Sequence, residues 1–207
     1  MFLSGIDIGG TSIKFGVFDE QLNLLQQWSR PTPKDPAEVA ALIAAQLESY
    51  HVAAIGAGAP GTLNAARETI TADNLAWADV PLAALLRRAS GLPAVVINDG
   101  HAAMLAEMRS GALQNVQTGI LLTLGTGIGG GIVINGQCWR SPTGLAPELG
   151  HIITHSDGLP CPCGQCGCFE QYASATALIR MAGGESPANL IARARSGNAA
   201  AQAVFAQ

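Results

Sequence analysis

Positive charge is scarce in this sequence: 11 lysines and arginines stand against 15 acidic residues in 207 positions, for a net charge of −4. No Lys/Arg run or aromatic-interleaved basic stripe occurs, so an electrostatic nucleic-acid surface has little to be built from and a small-molecule site is expected. No stretch of about 18 apolar residues occurs either. The start, MFLSGIDIGG, lacks the cationic segment of a secretory leader and reaches Asp7 quickly, so the expected location is the cytoplasm, with no membrane partner. Cysteines number only five, and four of them crowd into CPCGQCGC with Cys138 left alone. That crowding makes a poor disulfide framework and a good metal site. What is plentiful is apolar content, 48% of the chain, which is ample for a buried core in one large or two small domains.

A pass along the chain alternates strands and helices. Phe2 to Ile8, Ser12 to Phe18 and Leu24 to Arg30 read as three antiparallel strands, followed by a helix through Ala37 to Tyr50 with Val39, Leu42, Ile43 and Leu47 on one face. A strand from Ala53 to Ala57 ends in GAPG; a helix from Leu82 to Ala89 stops at Gly91, and a strand from Ala94 to Ile97 runs into Asn98 and Asp99. A helix from His101 to Arg109 follows. After the polar stretch LQNVQT come a strand from Gly119 to Leu124, the glycine run GTGIGGG, a strand from Ile132 to Ile134 and a turn at NGQ. A domain boundary is expected near Thr118, and Ala188 to Phe205 reads as one helical segment.

Strand, glycine turn, strand occurs twice, as GIDIGGTSIKFGVFD and LLTLGTGIGGGIVING. Glycines there are expected to take positive φ and to turn several N–H groups on one anion without Cβ interference. Two such hairpins could grip one polyphosphate. Neither is a P-loop or a dinucleotide fingerprint, because each leads into another strand rather than a helix. Asp7 and Thr11 flank the first hairpin and Thr126 lies within the second.

Four cysteines within eight positions, preceded by His151 and separated by Gly164 and Gly167, supply soft donors suited to tetrahedral Zn²⁺. An Asp at a strand's end, as Asp99 is, could take the proton of an attacking hydroxyl. A bare helix N-cap is the alternative role for an Asp at such a junction.

DIGGT, GAPG, ND, LGTGIGGG, ELGH and CPCGQCGCFE occur in the order and rough spacing of the ROK family of bacterial sugar kinases, over about Ile6 to Ala177, and the chain is identified as a member. The resemblance implies an α/β, actin-like ATPase (RNase H-like) two-domain fold, divided as residues 1–118 and 119–207, with the second domain incomplete because family members run longer. It implies ATP-dependent phosphorylation of a hexose, glucose first, with N-acetylmannosamine, N-acetylglucosamine, fructose or allose as alternatives and a sugar-sensing regulator behind them. Asp99 matches the catalytic base. Asp7, Gly9, Gly10, Thr11, Ser12, Gly125, Thr126 and Gly127 match the ATP and Mg²⁺ positions. Gly61, Asn74, Asn98, Asp99, Glu148, His151 and Glu170 match sugar-contacting positions, with a surface turn as the other reading of Asn74. His151, Cys161, Cys163 and Cys168 match the ligands of a structural Zn²⁺, and Cys166, where the family varies, is an alternative ligand. A homodimer of the full-length protein is implied too, and the 207-residue form by itself is expected to be unstable or inactive. Where the family has Ala-Asn after the base, this chain has Gly100 and His101; a lone helix histidine reads as solvated, with tuning of the base as the alternative.

Overall fold

The structure is a computed structural model that describes residues 1–141 and 146–206. The chain forms two compact units: Met1–Gly119 with Ile132–Ala146, and Ile120–Gly131 with Pro147–Gln207.

The first unit is built on β1 (Phe2–Ile8), β2 (Ser12–Phe18) and β3 (Leu24–Pro31), then α1 (Pro36–Leu47), β4 (Val52–Ala59), the short strands β5 (Thr62–Asn64), β6 (Thr69–Ala72) and β7 (Trp77–Val80), α2 (Leu82–Ser90), β8 (Ala94–Asn98) and α3 (Asp99–Ser110). The main sheet runs β3-β2-β1-β4-β8. Its first three strands are antiparallel, whereas β4 and β8 run parallel to β1. Alternation sends Ile6 and Ile8, then Ile13, Phe15 and Val17, then Ile55, Ala57 and Ala59 to one core with Val39, Ile43 and Leu47 of α1 and Leu82 and Leu86 of α2. These side chains are almost fully buried, and burial of this kind stabilises by roughly 1.5–3 kcal/mol per large side chain. The opposite face is paved with glycine: Gly16, Gly5 and Gly56 are neighbours in register. Phe18 lies across that paving, and a Cβ on Gly16 would stand 2.7 Å from its ring.

Strands β5 to β7 form a separate three-stranded sheet that the alternation of the sequence does not announce. They are three or four residues long and turn through left-handed Glu68 and Ala76 between strands, with left-handed Asp79 inside β7, and no glycine or proline marks these positions. Helix α1 also ends earlier than its apolar period suggests, because Glu48–Tyr50 tightens into a 3₁₀ turn that closes at left-handed His51.

Strands β9 (Thr118–Leu124), β10 (Ile128–Ile134) and β11 (Gln137–Cys138) form a further sheet, β11-β10-β9. Strand β10 begins at Ile128, so Gly129, Gly130 and Gly131 belong to the strand rather than to the turn. The reason is close packing: a Cβ at Gly130 would lie 2.1 Å from the Leu121 carbonyl oxygen. After the second unit's cysteine loop come α4 (Glu170–Ala173), α5 (Ala175–Met181), α6 (Pro187–Arg195) and α7 (Ala199–Val204). The single helix expected over 188–205 is therefore two. Gly197 at φ +87° breaks it, and Asn198 caps the new start by accepting from the Ala201 amide. No helix among the described residues is long and apolar enough to cross a membrane.

Candidate active site and metal centre

In the first unit the β1–β2 turn holds Asp7, Gly9, Gly10, Thr11 and Ser12. Asp7 stands one residue before the end of β1, opposite Lys14 in register, and Lys14 Nζ donates to its carboxylate at 2.9 Å. Both side chains are exposed, so the pair adds at most about 1 kcal/mol and leaves the carboxylate accessible to another cation. The turn is tied from β3's end: Thr32 Oγ1 donates to the Gly9 carbonyl at 2.7 Å and the Thr32 amide to the Thr11 carbonyl at 3.1 Å. Thr32 is a support that sequence reading missed, because nothing local marks it. Asn74 is brought beside this turn, with its backbone carbonyl 3.8 Å and its Nδ2 4.0 Å from where a Gly10 Cβ would be. It sits in a 3₁₀ turn, Asp73–Leu75, just ahead of β7.

The expected reason for the hairpin glycines is corrected. None of Gly9, Gly10, Gly125 or Gly127 takes a positive φ. At Gly127 the demand is clearance, since a Cβ there would fall 2.3 Å from Glu170 Oε2, whereas at Gly10 and Gly125 it would meet nothing closer than 3.8 Å. Positive φ is instead needed at Gly61, at +100°, where a Cβ would stand 2.2 Å from the Thr71 carbonyl oxygen. Gly61→Ala should therefore cost about 2–4 kcal/mol, from backbone strain plus overpacking. Gly91→Ala, at φ +72° with open space around it, should cost only about 1 kcal/mol. Equal losses in urea denaturation would remove the clash from this account.

Strand β8 delivers Asn98 and Asp99 to the start of α3. The N-cap is Asn98, not Asp99: its Oδ1 accepts from the His101 amide at 3.1 Å, and its Nδ2 donates to the Gly61 carbonyl at 3.0 Å. Asp99 is the first helical residue, exposed, with Oδ1 accepting from the Gly100 amide at 2.8 Å. Because its neighbour does the capping, the Asp99 carboxylate is not consumed by holding the helix. His101 departs from the solvated reading. It is 3% exposed and its ring Nε2 lies 3.1 Å from the Trp139 carbonyl oxygen.

In the second unit, Gly125, Thr126 and Gly127 form the β9–β10 turn. The Ala175 amide donates to the Gly125 carbonyl at 2.9 Å and Thr176 Oγ1 to the Thr126 carbonyl at 2.7 Å. Glu170 opens α4 and accepts from the Ile128 amide at 2.7 Å through Oε2, so it braces this turn. Glu148 is exposed just before a 3₁₀ turn, Leu149–His151, and its carbonyl accepts from the His151 amide at 3.0 Å.

Donor atoms of His151, Cys161, Cys163 and Cys168 all lie within 4.8 Å of one another. His151 Nδ1 is 3.6 Å from Cys161 Sγ, and Cys163 Sγ is 3.6 Å from Cys168 Sγ. A tetrahedral site with Zn–S near 2.3 Å has ligand edges of about 3.8 Å, so the donor set fits such an ion in type and spacing. Cys166 is exposed and is not one of the four. The loop is shaped by glycine: Gly167 sits at φ +78°, with the His155 carbonyl oxygen 1.6 Å from where a Cβ would be. Gln171 Nε2 points to Cys161 Sγ at 3.6 Å. Without a cation, burial pushes the Cys168 thiol up to about 12, and the adjoining thiols add to the effect. The Gln165 amide, with the Cys161 thiol, holds Cys163 below its ordinary value.

Fold and site together define the class: this is the mixed α/β, actin-like ATPase fold of a sugar-kinase lineage. The chain belongs to the ROK family, whose pattern matches residues 3–207. It is 43% identical over 183 residues to a glucokinase of Streptomyces coelicolor, covering 86% of this chain and 58% of that one. It is 35% identical over 178 residues to an N-acetylmannosamine kinase of Yersinia pestis, covering 84% and 61%. Among solved structures, a ROK family glucokinase from Streptomyces griseus in complex with glucose and AMPPNP matches with a TM-score of 0.86 at 37% identity, over 99% of this chain and 74% of that one. The chain thus spans 58% of the length of the first curated relative it matches.

Proposed function

We propose that the protein phosphorylates a hexose hydroxyl at the expense of ATP, with glucose as the substrate and Asp99 as the general base. The observation that carries this reading is the division of labour at the start of α3. Asn98 caps the helix and reaches Gly61, leaving Asp99 an exposed carboxylate on a fixed turn. Such a group can take the proton of an attacking alcohol. In the first unit, Asp7 organises Mg²⁺, the Gly9–Ser12 turn takes phosphate, and Gly61, Asn74 and Asn98 contact sugar. In the second unit, Gly125–Gly127 takes phosphate while Glu148, His151 and Glu170 contact sugar. Zinc held by His151, Cys161, Cys163 and Cys168 is structural: with four protein donors it has no open position, and it fixes the turn that carries Glu148. The domain division near Thr118, a cytoplasmic location and a homodimer of the full-length protein complete the reading.

The match to glucokinases at 43% identity favours glucose, and the N-acetylmannosamine kinase relative at 35% keeps an N-acetylhexosamine as the second reading. An ADP-release assay of the full-length protein over glucose, N-acetylmannosamine, N-acetylglucosamine, fructose and allose should give its highest kcat/KM with glucose. Preference for an N-acetylated sugar would transfer the assignment to the second reading, and sugar binding without turnover would point to a sensor.

A further inference from the structure

We propose that His101 is a positioning residue for Asp99, an inference that rests on the kinase reading and concerns a residue where the chain departs from the family pattern. His101 lies two residues after Asp99 in the first turn of α3. It is one of three polar residues among those described that are buried, with Ser4 and Ser174. Its ring faces the Trp139 carbonyl oxygen at 3.1 Å. A carbonyl only accepts, so Nε2 carries the hydrogen and the bond fixes the ring.

The links continue on the other side. The His101 amide donates to Asn98 Oδ1 and Asn98 Nδ2 donates to the Gly61 carbonyl. An unbroken series of three hydrogen bonds therefore runs from the Gly61 turn through Asn98 and His101 to Trp139, and Asp99 sits between its two middle members. Water competes little with a bond made by a buried ring. The floor beneath is equally close, since a Cβ on Gly58 would meet Ala102 Cβ at 3.2 Å. The turn that carries the carboxylate is thus held at the Gly61 end by an amide and at the Trp139 end by an imidazole. Its role is exercised through Asp99, since small displacements of a reacting group cost far more in turnover than in binding.

The test compares His101→Ala and His101→Gln in the full-length protein, the glutamine amide being able to donate to the same carbonyl. His101→Ala should lower kcat by about tenfold or more, with glucose Kd by calorimetry within about threefold of the parent and the folded fraction at assay temperature unchanged. Hydrogen exchange of the amides at residues 99–102 should speed up. His101→Gln should recover most of kcat and the slow exchange. A kcat loss that only tracks the loss of folded protein, an unchanged kcat in His101→Ala, or a glutamine variant as slow as the alanine one would overturn the proposal. If the parent phosphorylates no sugar, the kinase reading fails by itself, and the exchange data alone then decide whether His101 holds the turn.

Discussion

Asp99→Asn should lower kcat by about 10²–10⁴-fold, the range expected when a general base is removed, and weaken sugar binding by no more than about tenfold. The asymmetry follows from what the substitution keeps. Asparagine fits the same first position of α3, and its amide oxygen still accepts a hydroxyl hydrogen bond, but it cannot take the proton. Asn98 remains the N-cap, so α3 has no reason to fray and the thermal midpoint should stay within a few degrees. Steady-state kinetics of the full-length protein, with calorimetry for sugar binding, measure both. Near-normal turnover would mean that the proton goes elsewhere, and the assignment of Asp99 would be lost.

Removing the metal should have the second large effect. A structural zinc site contributes folding free energy directly, about 10–16 kcal/mol of apparent binding in small peptides at neutral pH. The Pro160–Cys168 loop packs little else: Cys161 and Cys168 are buried while Pro162 to Cys166 are exposed. Cys168→Ser, or a strong chelator, should abolish one equivalent of zinc measured by elemental analysis and unfold this loop, whereas Cys166→Ser should keep the full equivalent. Loss of zinc from Cys166→Ser would show that the site uses the other thiol.

The same centre has a pH signature of definite sign. In the metal-free fold Cys168 is raised from 9.0 to about 12, chiefly by burial. The folded state therefore holds that proton more tightly than the unfolded chain, so its contribution is complete below pH 9 and is lost as the pH rises toward 12. Zinc inverts this, because a coordinating thiol is deprotonated outright. Bound metal should release protons on binding and be lost as the pH falls.

How far the sequence can be read differs from place to place. Strands β1, β2 and β3 and the β8–α3 junction follow from local alternation and from glycine and asparagine punctuation, which act over a few residues. The His/Cys donors were legible as a set, because soft ligands at that spacing have few other uses. What escaped were features made by distant segments. Thr32 bracing the Gly9 turn, Glu170 bracing the Gly127 turn and His101 meeting Trp139 join residues 23, 42 and 38 positions apart. No local pattern encodes such pairs, and a histidine on a helix surface looks the same whether a neighbour covers it or not.

The sequence by itself laid out β1 to β4, α2, β8 and α3, the two strand–glycine–strand segments and the His/Cys donors, because each depends on residue type and short spacing, while Asp99 entered as a base through the resemblance to the ROK family. Tertiary structure alone decided that Gly127 needs clearance from Glu170 rather than a positive φ, that Cys166 stays outside the cluster, and that His101 is buried. Those outcomes depend on which atoms are brought together in space, and that is settled by packing between segments far apart in the chain.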